Sequence, residues 1–203
     1  IIPAEPLVVE VCDGFLDWCR AHKARLTYDA YRRRLQHLID DLKKNDEALL
    51  TVGELRPRHV SRVMTAHPDW AANTKADFAG ACNRVMNWAV KQGMIERNPI
   101  VGVEKPGREA RDLVVTPKDF EVILSGILEA TLRDLVEPAW ETGARVQELR
   151  KVEARFVDLA NSRVVFPPKE AKGKKHHRVI YLGTERAREL VGRLTGEFPE
   201  GPI

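Results

Sequence analysis

The chain has 203 residues, 43% of them hydrophobic, enough to bury one sizeable core or two smaller ones. No apolar run approaches the ~20 residues needed to span a bilayer, and the opening Ile1-Ile2-Pro3-Ala4-Glu5-Pro6 lacks the basic-then-apolar order of a secretory signal, so a soluble cytoplasmic protein is expected. The net charge of +3 excludes a uniformly basic chain, but the charge is unevenly spread: between Arg20 and Lys44 eight basic residues face three acidic ones, and Lys169, Lys172, Lys174, Lys175 and Arg178 surround a single Glu170. Either cluster taken alone reads equally as a solvated face or as a contact surface.

In chain order, Val11, Phe15, Leu16, Trp18 and Cys19 recur at helical spacing and predict a helix over 9–21, which Gly14 weakens by ~1 kcal/mol relative to Ala. From residue 27, Tyr28, Tyr31, Leu35, Leu38, Ile39 and Leu42 form one stripe while Arg32, Arg33 and Arg34 point largely away from it. A short helix carrying Val60, Val63 and Met64 opens near Pro57 and closes at Pro68. Thr74 and Asp77 have the form of a capping box for a helix over 74–92, with Phe78, Cys82, Val85, Met86, Ala89 and Val90 on its buried stripe. Gly93 is placed as a left-handed stop, and Asn98-Pro99 prevents a restart. Four such helices make a small all-helical domain over 1–98.

The polar, basic stretch 99–112 reads as an interdomain linker to a second domain over 113–203. There, Thr116 followed by Pro117 signals a helix to 128, and a further helix over 131–141 breaks at Thr142-Gly143. A short helix over 147–150 follows. Segments 163–166 and 178–182 read as paired strands joined by a lysine-rich hairpin loop, and a last helix over 184–194 precedes Gly196. The expected fold class is mainly α with a small β-hairpin or sheet.

The most informative stretch is Glu141-Thr142-Gly143-Ala144-Arg145-Val146-Gln147-Glu148-Leu149. A Gly-centred turn entering a helix exposes backbone amides where anions are favoured, and it aims Arg145 at whatever sits there. A guanidinium grips two non-bridging oxygens of a phosphodiester at once, which a lysine cannot match. The competing local reading is an Arg145–Glu148 pair one turn apart. Lys172 follows 27 positions later, in a basic loop ahead of an apolar strand.

The Thr142-Gly143-Ala144-Arg145 turn, the Arg-x-x-Glu-Leu helix, Asp158-Leu159, and Lys172-Gly173 ahead of Arg178-Val179-Ile180-Tyr181-Leu182 together resemble the tyrosine recombinases, or phage-type integrases. Upstream, Asn87 through Asn98-Pro99 looks like the end of that family's core-binding domain, so the likeness runs from about residue 7 to the end. The resemblance implies a helical core-binding domain followed by the N-terminal part of an α+β catalytic domain. It also implies site-specific DNA recombination or integration through a 3′-phosphotyrosyl intermediate, with no metal or nucleotide cofactor. By resemblance, Arg145 is the first catalytic arginine, Lys172 the hairpin lysine that protonates the departing 5′-oxygen, and Glu148 an orienting acid. Lys169 and Lys174 compete with Lys172, which is preferred because Gly173 follows it. Candidate DNA contacts are Arg32, Arg33, Arg34, Lys75, Arg84, Lys174, Lys175 and His177. The partner is double-stranded DNA of the nucleoid, clamped by both domains; a homo-tetramer on DNA is expected of a complete recombinase and a monomer of this chain alone.

The family's His-x-x-Arg pair, further His or Trp, and nucleophilic Tyr have no match after the strand pair. Tyr28 and Tyr31 belong to a helix core, and Tyr181 occupies a strand position where the family usually has Pro, so these residues alone are expected not to cleave DNA. One alternative is a non-catalytic DNA-binding regulator derived from an integrase. Another is a type IB topoisomerase, which the small helical domain ending in Asn98-Pro99 disfavours. Cys12, Cys19 and His22 share a helix face but lack a fourth ligand at a usual zinc spacing, His176-His177 reads as solvated loop, and no GxxxxGK[ST] segment indicates nucleotide use. Three cysteines, odd in number and far apart, do not form a disulfide framework.

Overall fold

The computed structural model describes residues 5–107, 113–171 and 176–203. The chain divides into two compact units, Ile1–Asp112 and Leu113–Ile203. In the first, α1 (Val8–His22), α2 (Arg25–Lys44), α3 (Pro57–Ala66) and α4 (Ala72–Lys91) enclose a core that includes Phe15, Leu35, Leu38, Val60, Phe78 and Met86. Each such side chain, fully withdrawn from water, contributes roughly 1.5–3 kcal/mol. Phe15 sets its ring edge-on to Tyr31 (5.0 Å) and Trp88 (5.6 Å), joining three of the helices. The start of α1 is pinned by an antiparallel bridge between Leu7 and Thr51, where the Val8 N–H donates to Leu50 O and the Val52 N–H to Pro6 O, each at 2.9 Å.

The two ends of α4 differ in how well the sequence foretold them. Gly93 does adopt a left-handed φ of 70°, which lets the Met94 N–H reach Ala89 O and the Gly93 N–H reach Val90 O, both at 3.0 Å. The start, however, lies two residues before the Thr74–Asp77 pair, behind Ala71, which offers no side-chain cap. Asp77 lies inside the helix and pairs with Arg34 of α2 at 2.6 Å. Beyond α4, the Asn98 amide donates to Asn83 Oδ1 (3.0 Å) and Asn87 Oδ1 (2.9 Å) while its own oxygen accepts from the Ile100 N–H (2.9 Å). That clasp delivers Ile100 and Val103, read from sequence as linker, into the core of the first unit.

The second unit comprises α5 (Pro117–Ser125), α6 (Ala130–Thr142), α7 (Val146–Leu149), a 3₁₀ turn (Ala154–Phe156), strands β1 (Val157–Asp158), β2 (Arg163–Phe166) and β3 (Arg178–Tyr181), and α8 (Glu185–Glu197). Thr116 caps α5 as expected, accepting from the Asp119 N–H at 3.2 Å while Asp119 returns the bond to the Thr116 N–H at 3.0 Å. The sheet is antiparallel in the order β1-β2-β3, with Val164 opposite Ile180 and Phe166 opposite Arg178. Val164, Phe166 and Ile180 point into a core completed by Leu149, Val152, Leu182 and Val191. Thr184 caps α8 (Ala187 N–H, 3.1 Å), and the helix runs through Gly196 to Glu197 rather than stopping before it. Charged ties hold α8 in place: Arg186 to Glu121 of α5 (2.9 Å) and to Glu137 of α6, and Arg193 to Asp134 of α6 (2.5 Å). Mainly helical with a small sheet is the fold class read from the sequence. Among the described residues no helix is long and apolar enough to cross a membrane.

Candidate nucleic-acid interface

The turn that carries Arg145 is built from its neighbours. At the end of α6, Gly143 takes φ 63°, a conformation glycine adopts without penalty. The Thr142 hydroxyl donates back to Pro138 O (2.5 Å) and accepts from the Ala144 N–H (3.2 Å), closing the turn. Ala144 is then 7% exposed, its methyl in the core of the second unit, and Leu149 lies in the same core. Between these two anchors Arg145 stands at the N-terminal cap of α7 with its side chain 68% exposed. Because α7 is four residues long, it has little macrodipole to offer. The attraction for an anion at this point therefore rests on the guanidinium, not on the helix start invoked from sequence.

Glu148 lies directly beneath. It is 15% exposed and accepts from four donors: the Arg145 backbone N–H (3.1 Å) and Nη1 (3.2 Å), and Nε and Nη2 of Arg178 (3.2 Å each). Both local readings of Arg145 thus meet here, since it pairs with Glu148 through one nitrogen and remains largely open to solvent. Burial pushes the Glu148 carboxyl up, but hydrogen bonds and charge from Arg178 and Arg145 outweigh that and hold it below the ordinary carboxylate range. Arg178 was assigned no site role in the sequence. It lies 30 positions from Glu148, so only the pairing of β3 with β2 brings it there.

His177, next to Arg178, is exposed. Lys172, Lys174 and Lys175 lie outside the described residues. In the first unit, Arg32, Arg33 and Arg84 are exposed and Lys75 is half-buried. Arg34, read as part of the outer basic side, is half-buried and committed to Asp77. Arg33 and Arg34 line a cleft of about 310 Å³ with His37, Trp70, Asn73 and Thr74. Trp70 stacks on His67 with ring centroids 4.2 Å apart. Cys12 and Cys19 are buried, and burial pushes the Cys12 thiol up to about 12. The His22 ring stacks on Trp18. Among the described residues no group of three or more His, Cys, Asp or Glu is arranged to hold a metal.

No family model matches the sequence. Individual relatives do: the chain is 25% identical over 190 residues to the tyrosine recombinase XerC of Serratia marcescens, covering 85% of this chain and 59% of that protein. It is 30% identical over 162 residues to the tyrosine recombinase XerC of Yersinia pestis, covering 74% of this chain and 51% of that protein. The chain is thus similar in sequence to tyrosine recombinases. It spans between half and three fifths of the length of these relatives. The fold resembles that of a lambda integrase tetramer bound to a Holliday junction, with a TM-score of 0.75 at 14% identity, over 96% of this chain and 56% of that one.

Proposed function

We propose that the chain binds double-stranded DNA and supplies the phosphate-gripping part of a tyrosine-recombinase active site. The observation that carries this reading is Arg145, anchored through Ala144, 68% exposed and tied to Glu148 by a single guanidinium nitrogen. In the reaction a tyrosine oxygen bonds to phosphorus as the bond to the 5′-oxygen breaks, and negative charge builds on the non-bridging oxygens. Arg145 stabilises that charge, Glu148 orients Arg145, and Lys172 gives the 5′-oxygen its proton. The first unit acts as the core-binding module, with Arg32, Arg33, Lys75 and Arg84 on backbone phosphates; Lys174, Lys175 and His177 do the same at the hairpin. Arg34 is assigned to bracing α2 against α4. The chain alone is a monomer, and it assembles as a homo-tetramer on DNA within an active recombinase.

Fluorescence anisotropy with a labelled duplex tests the phosphate reading. The binding constant should fall with salt by ~0.9 log units per neutralised phosphate for each tenfold rise. Arg33→Gln and Arg145→Gln should each remove about one phosphate from that slope. A flat salt response, or an Arg145→Gln protein with unchanged affinity and slope, argues against the assignment. In an active recombinase containing these residues, Arg145→Ala should depress cleavage at least ~100-fold, as loss of an oxyanion donor does, and near-normal cleavage rejects its catalytic role.

A further inference from the structure

We propose that Arg178 is a positioning residue whose work is to saturate Glu148, so that Arg145 stays available to a phosphate. The proposal rests on Arg145 being the phosphate ligand. A carboxylate offers about four acceptor sites, and Glu148 already receives four donors, two of them from Arg178. Arg145 is consequently held by Nη1 alone, and its Nε and remaining Nη donors are left for another anion.

The backbone makes this arrangement firm. Arg178 is paired across the sheet with Phe166, itself 2% exposed, so the base of the guanidinium's stem cannot drift far from Glu148. Its fork meets both carboxylate oxygens side by side, the geometry a planar guanidinium provides and an ammonium does not. Without Arg178, a largely buried carboxylate loses half of its donors, and unsatisfied charge in that setting is costly. Among the described residues, the Arg145 guanidinium, three residues away, is already in contact, and the rest of it can replace them. Arg145 would then close onto Glu148 through two nitrogens and be withdrawn from solvent. Arg178 also begins β3, directly after the basic hairpin loop. The same contact therefore ties the hairpin base to the Arg145 turn.

The test is a set of variants of the full chain, read by anisotropy on one duplex at fixed salt. Arg145→Gln should weaken binding about tenfold, the size of one charge-assisted contact. Arg178→Gln should weaken it by a similar factor, and Arg178→Lys by less. The Arg145→Gln/Arg178→Gln pair should be no worse than either change alone. Glu148→Gln/Arg178→Gln should bind more tightly than Arg178→Gln alone, because a neutral amide holds the Arg145 guanidinium less firmly than an unpaired carboxylate does. That rescue distinguishes positioning from a loss of structure, which removing a second charge would not repair.

Failure of the rescue, or full additivity of Arg145→Gln with Arg178→Gln, overturns the proposal and makes Arg178 a structural prop or a direct DNA contact. Unchanged binding by Arg178→Gln while Arg145→Gln weakens it overturns the positioning role and leaves the phosphate reading standing. A silent Arg145→Gln removes that reading, and this proposal with it.

Discussion

His59 lies in the core of the first unit with 1% of its surface exposed. Its Nδ1 accepts the Arg56 backbone N–H at 2.9 Å, which places the ring proton on Nε2, 3.7 Å from the Glu47 carboxylate. Burial lowers its pKa; Glu47 and Asp41 oppose the shift, while Arg58 and Arg62 add to it. A second proton on Nδ1 would also have to displace the Arg56 N–H. The unfolded chain thus binds more protons than the folded one below the ordinary histidine value of 6.5. Stability is full above that pH and falls as pH drops through the lower folded value. Urea unfolding at pH 7 and pH 5 should show the loss, and His59→Gln should flatten it; an equally steep fall in the variant assigns the effect to other groups. Glu47, held below the usual carboxylate range chiefly by its hydrogen bond from Arg62, adds its own loss only at more acid pH. Legibility at this scale follows contact distance along the chain. The Arg145–Glu148 contact spans three residues, and the spacing alone foretells it. Arg178 meets Glu148 only through strand pairing, and His59 owes its character to burial, which spacing does not disclose.

At the scale of elements, the helices were legible because their apolar stripes repeat, and their ends were legible wherever a single residue dictates backbone geometry. Gly93 and Gly143 mark two such ends, both with left-handed φ. The start of α4 is not legible because Ala71, which precedes it, offers no side-chain cap, and β1 is not legible because two residues carry no alternation. Gly80, midway along α4, has no such reason to be glycine: a Cβ built there meets nothing within 4 Å. Its backbone freedom in the unfolded state is a cost without a packing return. Gly80→Ala should therefore raise the stability of the first unit by about 0.5–1 kcal/mol, read as a higher urea midpoint with an unchanged slope. Gly14 differs, since a Cβ there meets Trp88 at 3.4 Å, and the gain should be smaller. A destabilised Gly80→Ala protein would indicate that this face of α4 is packed against something the open space does not reveal.

For the molecule as a whole, DNA binding and DNA cleavage make different demands. Binding needs exposed cations, which both units provide; on the proposed reading, cleavage needs a tyrosine oxygen free to reach a phosphate held by Arg145. Tyr28 and Tyr31 pack against the core of the first unit, and the Tyr28 hydroxyl accepts from Arg20 Nη2 at 2.9 Å. Swinging either ring out would uncover the apolar surface it packs against. Tyr181 is 69% exposed at the last position of β3, while Arg178 at the first position of the same short strand reaches Glu148. A side chain three residues further along a strand stands about 10 Å away and, by the alternation of the strand, on the opposite face. The chain should therefore bind a nicked suicide duplex without becoming covalently attached, as seen by denaturing electrophoresis after incubation. Should a covalent band appear, Tyr181→Phe decides its origin: loss of the band makes this tyrosine a nucleophile despite its position, and persistence points to one of the helix tyrosines reaching DNA through partial unfolding. Without a band, salt-sensitive binding that depends on Arg145 leaves the chain as the DNA-gripping portion of a recombinase, with the attacking oxygen supplied from elsewhere.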